Sequence, residues 1–239
     1  ENQLYSYYKP YSTTGRFICS YNGLNLQTLN KDDGSKEAFI PNNDYFVEMD
    51  FDGYHIRLIG DLIGYKFNED NVHQYLAKKY FGEDLTEKQL KESKELTFRQ
   101  LYGGIFAKYI HIDFFKKTQE YIDDLWKIFN IQGYVETPLA KRKLSKDHIK
   151  NCTPQKLLNY MIQAYETERN TLILDELFIY LSEYRTRVCL YIYDAFVLDV
   201  DTFETKILNK IKDILSGNGQ FPVKTKESKT LNNFKSFKL

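Results

Sequence analysis

Three widely separated clusters in this 239-residue chain carry residue types suited to chemistry. Asp50 closes a stretch that alternates as a strand does, and Asp194 stands inside a β-rich run from Val188 to Val200. Between them, Lys94, Phe98 and Tyr102 recur every fourth residue. Aspartates at strand ends offer the hard oxygen ligands that divalent cations demand. Two such cations about 3.5–4 Å apart can stabilise the attacking and leaving oxygens of a phosphoryl transfer. That reaction asks a protein for positioning and charge neutralisation more than for covalent help. Residues four apart on a helix turn through little more than one circle and rise about 6 Å, so Lys94, Phe98 and Tyr102 share a face. A cation followed by two rings suits a nucleotide laid along the helix, with phosphates at Lys94, sugar near Phe98 and base near Tyr102. On the residues alone the plainer readings stay open. A strand-end aspartate is commonly a solvated turn residue, and an aromatic stripe is commonly the core face of an amphipathic helix.

The elements that must hold these clusters follow from periodicity. From Asp44 to Phe51, Tyr45, Val47, Met49 and Phe51 alternate with Phe46, Glu48 and Asp50, which predicts a strand. Asp52 stands where an N-cap belongs, ahead of Ile56, Ile59, Leu62 and Ile63 at helical spacing. The chain then reads as mainly helical from Asn68 to Lys150. One helix is predicted from Thr86 to Leu101. Another runs from about His111 to Asn130, with Phe115, Ile122, Leu125 and Phe129 on one side. Gly133 and Pro138 interrupt the pattern near the basic run Lys141-Arg142-Lys143, read as a solvated face. Helical spacing returns from Pro154 to about Tyr184. Val188 to Val200 is predicted to be a hairpin with Asp194 near its tip. Asp201-Thr202-Phe203-Glu204 resembles a capping box, starting a helix that turns Phe203, Ile207, Leu208, Ile211 and Leu215 inward and stops at Gly217. A last strand spans about Phe221 to Thr225, while Glu1 to Asn43 reads as irregular with short strands. A strand, a helical block, then a hairpin and helix make an α+β fold.

Bulk properties narrow the classes. A composition of 42% hydrophobic and 16% aromatic residues can build a core and argues against a disordered tail. No apolar run approaches the ~20 residues of a membrane span, and no charged-then-apolar leader opens the chain. Cys19, Cys152 and Cys189 lack ligand spacing, so zinc is not expected, and an odd set of thiols fits a reducing, intracellular setting. The formal net charge is zero, so a basic footprint for nucleic acid would have to be gathered on one face.

Lys94-Glu-Leu-Thr-Phe98-Arg-Gln-Leu-Tyr102-Gly103 resembles motif B of the family A DNA polymerases, Lys-x-x-Asn-Phe-Gly-x-x-Tyr-Gly, with Thr97 and Arg99 in place of Asn and Gly. Asp50-Phe-Asp-Gly-Tyr-His-Ile-Arg57 resembles motif A, and Ile192-Tyr193-Asp194 resembles motif C. Shorter segments recur in family order. These are Thr14-Gly15-Arg16, Asn25-Leu26-Gln27, Asn71-Val72-His73, Gly133-Tyr134-Val135-Glu136-Thr137 and the pair Asn159 and Gln163.

The resemblance implies template-directed DNA synthesis, adding dNTPs to a primer 3′-hydroxyl by two-metal nucleotidyl transfer. The fold it implies is an antiparallel-sheet palm with an inserted helical fingers subdomain. Residues 1–62 would form the first palm part, 63–158 the fingers and 159–239 the second palm part. Asp50 and Asp194, with the backbone carbonyl of Phe51, would hold two Mg²⁺ ions, with Mn²⁺ as a substitute. Lys94 would neutralise the triphosphate and pass a proton to the leaving pyrophosphate. His73 and Lys91 would contact the phosphates, Phe98 the sugar and Tyr102 the base. Arg16, Gln27, Asn159, Gln163 and Tyr193 would contact primer and template, and Gly103 would admit the template backbone. Minor-groove readout is degenerate and suits an enzyme that must accept every pair.

Several positions depart from the family pattern. His55 replaces the glutamate that excludes a ribose 2′-hydroxyl, which predicts that sugar discrimination survives with greater pH dependence. Leu90 replaces an arginine, leaving Lys91 as the nearest cation, a point charge without a guanidinium's fork. Tyr193 and Ala195 replace the residues flanking the motif C aspartate. These changes suggest a phage or organellar branch, in a bacterial or phage-infected cytoplasm or an organelle. A thumb and exonuclease region is expected elsewhere on the same or a separate chain, with a processivity factor as a further partner and no membrane. A single-subunit RNA polymerase and a non-catalytic DNA-binding relative remain the competing readings.

Overall fold

A computed structural model describes residues 4–19, 24–30, 32–69 and 71–239. In chain order the strands and α-helices are β1 (Tyr8–Lys9), β2 (Ile18–Cys19), β3 (Tyr45–Phe51), α1 (Tyr54–Leu62), α2 (Val72–Phe81), α3 (Glu87–Gly103), α4 (Asp113–Gln132), β4 (Tyr134–Glu136), β5 (Lys143–Ser145), α5 (Pro154–Tyr180), β6 (Arg187–Ile192), β7 (Ala195–Val200), α6 (Ile207–Ser216), β8 (Val223–Ser228) and β9 (Lys235–Ser236). The chain is mixed α/β with antiparallel sheets, and it divides into two compact units. One comprises residues 1–52 and 169–239, the other residues 53–168. Among the described residues no helix is long and apolar enough to cross a membrane.

The first unit is built on a five-stranded antiparallel sheet in the order β6-β7-β3-β8-β9. β3 is central because both its faces carry large apolar residues. Val47 and Met49 are fully buried on one side, and Phe46 packs with Leu26, Leu190 and Val197 on the other. Glu48 and Asp50 follow Phe46 on that second face, where polar residues interrupt the apolar alternation. α6 lies beside β8 and buries Ile207, Leu208, Ile211 and Leu215. Gly217 ends it in the left-handed conformation, with φ of 57°.

The second unit is helical apart from the short β4–β5 ladder. Thr86 and Gln89 form a full capping box at the start of α3. α4 presents Leu125 and Phe129 to a cluster with Val135, Leu144, Ile149, Leu157 and Met161. Tyr65, Phe67, Tyr75 and Phe114 make a second, aromatic cluster, with ring centroids 5.2–6.5 Å apart.

Two expectations are corrected. Asp52 does not cap α1. Gly53 occupies the cap in the left-handed conformation with no side-chain cap bond, and Asp52 pairs with Lys224 across the sheet instead. Phe203 does not face inward. Asp201 caps a single 3-10 turn, Thr202–Glu204, and α6 starts only at Ile207, leaving Phe203 94% exposed. Glu204 accepts from the Arg185 and Thr186 amides rather than closing a capping box.

Candidate functional site: a carboxylate pair and an aromatic helix face

In the sheet unit, Asp50 and Asp194 stand on neighbouring strands. β3 pairs with β7 so that Asp50 lies opposite Ala195, the residue after Asp194. The Phe51 amide donates to the Asp194 carbonyl at 3.4 Å. The proximity is felt electrostatically. Burial, then the Asp194 charge, push the Asp50 carboxyl up from 3.8 to about 6. Two carboxylates converging in a half-buried setting repel, and a cation relieves that repulsion.

Three further side chains shape this site, and none was singled out from the sequence. Asn170, fully buried, donates through Nδ2 to the Tyr193 carbonyl at 3.0 Å and to Tyr191 Oη at 3.1 Å. Tyr193 has φ of 54°, a left-handed conformation that is costly for a non-glycine residue. Asn170 therefore braces the strained peptide next to Asp194. Arg169 lays its guanidinium over the Phe51 ring at 5.3 Å and the Phe221 ring at 3.9 Å, and donates to the Leu215 carbonyl. It thus packs against the residue that follows Asp50. Lys226, on β8, is 2.7 Å from Glu48 and 3.9 Å from Asp50. Glu48 and Asp50 lie on one face of β3, with Lys226 and Lys224 across from them on β8, and Asp52, just past the strand, pairs with Lys224. Arg16 lies over the Tyr193 ring at 5.2 Å, and Gln27 donates to the Phe17 carbonyl.

The helical unit holds the remaining candidates. Lys94 is exposed on α3, as is Lys91. Phe98 and Tyr102 are both 38% exposed, and their rings lie parallel, 4° apart, with centroids at 5.9 Å. The core face of α3 is instead Ser93, Thr97, Gln100 and Leu101. The aromatic stripe is therefore an outer surface and not the buried face of an amphipathic helix. His73 sits on α2 beside Phe98, with centroids 6.2 Å apart. Gly53 leaves room there, since a Cβ would fall 2.4 Å from Val72. Gly103 borders open space, with nothing within 4 Å of an added Cβ. On α5, Gln163 is half-buried, and Asn159 holds a buried Oδ1 with no hydrogen-bond partner among the described residues. His55 on α1 contacts both Tyr102 and Glu166.

The carboxylate pair fits a divalent cation. Asp50 and Asp194 supply hard oxygens, and their mutual repulsion is what a cation would offset. Among the described residues no cluster of three or more His, Cys, Asp or Glu side chains forms a closed cage. Magnesium commonly binds through one or two carboxylates, retaining water and substrate phosphates.

No protein-family model matches the chain, and no curated protein does. Among solved structures it is similar to the POL domain of Pol1 from M. smegmatis, determined in complex with DNA primer-template and dNTP. The TM-score is 0.77 at 16% sequence identity, over 95% of this chain and 47% of that one. The likeness is one of fold, and the chain spans about half the length of that neighbour.

Proposed function

We propose that this chain is the palm and fingers core of a family A-like, template-directed DNA polymerase. The observation that carries the proposal is the register of β3 on β7, which places Asp50 and Asp194 side by side. In this reading the sheet unit lies within the palm, residues 1–62 and 159–239. Asp50 and Asp194, with the Phe51 carbonyl, hold Mg²⁺, or Mn²⁺ in its place. The bound ions would neutralise charge developing on the attacking and leaving oxygens. Asn170, Arg169 and Lys226 keep the carboxylates in place. Arg16, Gln27 and Tyr193 on this unit, and Asn159, Gln163 and Gly103 on the helical unit, contact primer-template.

The fingers, residues 63–158, lie within the helical unit. Its face of Lys94, Phe98 and Tyr102 receives the dNTP, with Lys91 and His73 assisting at the phosphates and His55 at the sugar. Exposed rings beside a cation suit a nucleotide, because every base presents a π-face for stacking. A thumb and exonuclease region and a processivity factor complete the assembly.

Single-nucleotide extension of a primer-template with Mg²⁺ tests the proposal, with Asp194→Ala as control. Extension lost in the variant supports it. Primer-independent incorporation of ribonucleotides would move the assignment to an RNA polymerase. Binding of DNA without extension would leave only a non-catalytic relative.

A further inference from the structure

Glu166 is fully buried on α5, in a run, Tyr165 to Asn170, that reads as ordinary polar helix surface. An ionised carboxylate out of water is costly unless donors meet it. His55 Nε2, from α1, makes that contact. The other ring nitrogen, Nδ1, lies 2.5 Å from Tyr102 Oη on α3. A carboxylate, an imidazole and a phenol thus form one chain within the helical unit. It runs from a sealed acid to an exposed ring.

The hydrogen-bond logic fixes the middle member. A carboxylate only accepts, so Nε2 must carry a hydrogen. In the neutral ring Nδ1 is then bare and accepts from the Tyr102 hydroxyl. In the imidazolium Nδ1–H donates to the same oxygen. A phenol can play either part, so the chain is satisfied in both states, and Glu166 sets the tautomer and the ring's orientation. Tyr102 in turn lies parallel to Phe98 on the face that Lys94 shares. Whatever holds His55 therefore holds one wall of that face.

We propose that Glu166 is a positioning residue for nucleotide selection. It holds the His55 ring, which meets Tyr102 and stands at the sugar, so that a deoxyribose fits and a ribose, with its extra hydroxyl, does not. This rests on the polymerase reading above. A site whose wall is fixed discriminates sterically, whereas a wall that can turn aside admits the larger sugar.

The test compares kcat/KM for a dNTP and the matching rNTP on one primer-template. Glu166→Ala should lower the dNTP preference by about tenfold or more, through the rNTP KM, with dNTP turnover changed by less than about threefold. His55→Ala should lower the dNTP preference at least as far, and the double variant should be no worse than His55→Ala alone. Glu166→Gln, whose carbonyl can still accept from Nε2–H, should restore most of the preference and guards against a misfolded alanine variant. Long-range ¹⁵N–¹H spectra of the wild type should show His55 carrying hydrogen on Nε2. A preference unmoved by Glu166→Ala, an equal fall in both substrates, or a neutral His55 ring with hydrogen on Nδ1 alone would overturn the proposal. Failure of the wild type to incorporate any nucleotide would sink the polymerase reading and this proposal together. Incorporation with a preference indifferent to Glu166 would sink this proposal alone.

Discussion

The carboxylates of the sheet unit and the aromatic face of the helical unit are built by different means. Asp50 and Asp194 are brought together by long-range strand pairing, and the residue next to each is held, Phe51 by the Arg169 guanidinium over its ring and Tyr193 by Asn170 at its carbonyl. Lys94, Phe98 and Tyr102 share a face merely by lying four residues apart on one helix, and they project outward. The His55–Glu166 chain and the His73 ring tie that face to distant parts of the sequence. The difference suits two tasks. In the proposed function metal ligands would have to be held to within fractions of an ångström, while a face that accepts four nucleotides in turn would need exposure with one fixed edge.

The comparison breaks most sharply at the carboxylates. Asp194→Ala should cut primer extension by about 1,000-fold or more, equivalent to ~4 kcal/mol of transition-state stabilisation, while far-UV circular dichroism stays native. Lys94→Ala should cost less, about 100-fold in kcat, because one donor to developing charge is lost and the metal site remains. Mn²⁺ affinity of this variant should match the wild type, a contrast that separates the two regions directly.

The pH response sharpens the same contrast. Asp50 titrates near 6 because burial and Asp194 raise it above 3.8. Cations bind the deprotonated form, so Mn²⁺ affinity should be flat above pH 7. It should fall by about tenfold per unit below pH 6. For folding the sign is opposite. A carboxyl raised in the folded state binds protons more tightly there than in the unfolded chain. Its contribution to stability without metal should therefore rise as pH drops from about 6 toward 4, read by urea midpoints. Asn170→Ala should leave the Tyr193 carbonyl unmet and destabilise by about 1–3 kcal/mol, with weakened Mn²⁺ binding as its second readout. Phe203→Ser should change stability by less than about 0.5 kcal/mol, since the ring is 94% exposed.

Local pattern made much of this legible. The alternation from Asp44 to Phe51, the β-rich run around Asp194 and the capping box at Thr86 each act within a few residues, and β3, the β6–β7 hairpin and α3 follow them. The same reasoning failed where one local signal overruled another. Periodicity alone carried the helix back over Phe203, but the Asp201 cap made a 3-10 turn there. Asp52 looked like a cap until a lysine on β8 claimed it. Glu166, Arg169 and Asn170 gave no local sign, because in sequence they read as solvated helix. Their partners, His55, Phe51 and the Tyr193 carbonyl, are near only in three dimensions. The sole hint was a polar run, Glu166-Thr167-Glu168-Arg169-Asn170, in a helix otherwise supplied with apolar residues.

Calorimetric titration of Mn²⁺ into the wild type, Asp50→Asn and Asp194→Asn probes the shared carboxylate site most directly. The account predicts that either substitution alone weakens binding by about tenfold or more, and that the double variant loses far less than the two single losses combined, because both acids serve the same ions. Two losses that simply sum, or wild-type binding that ignores both residues, would mean that Asp50 and Asp194 do not act on common cations.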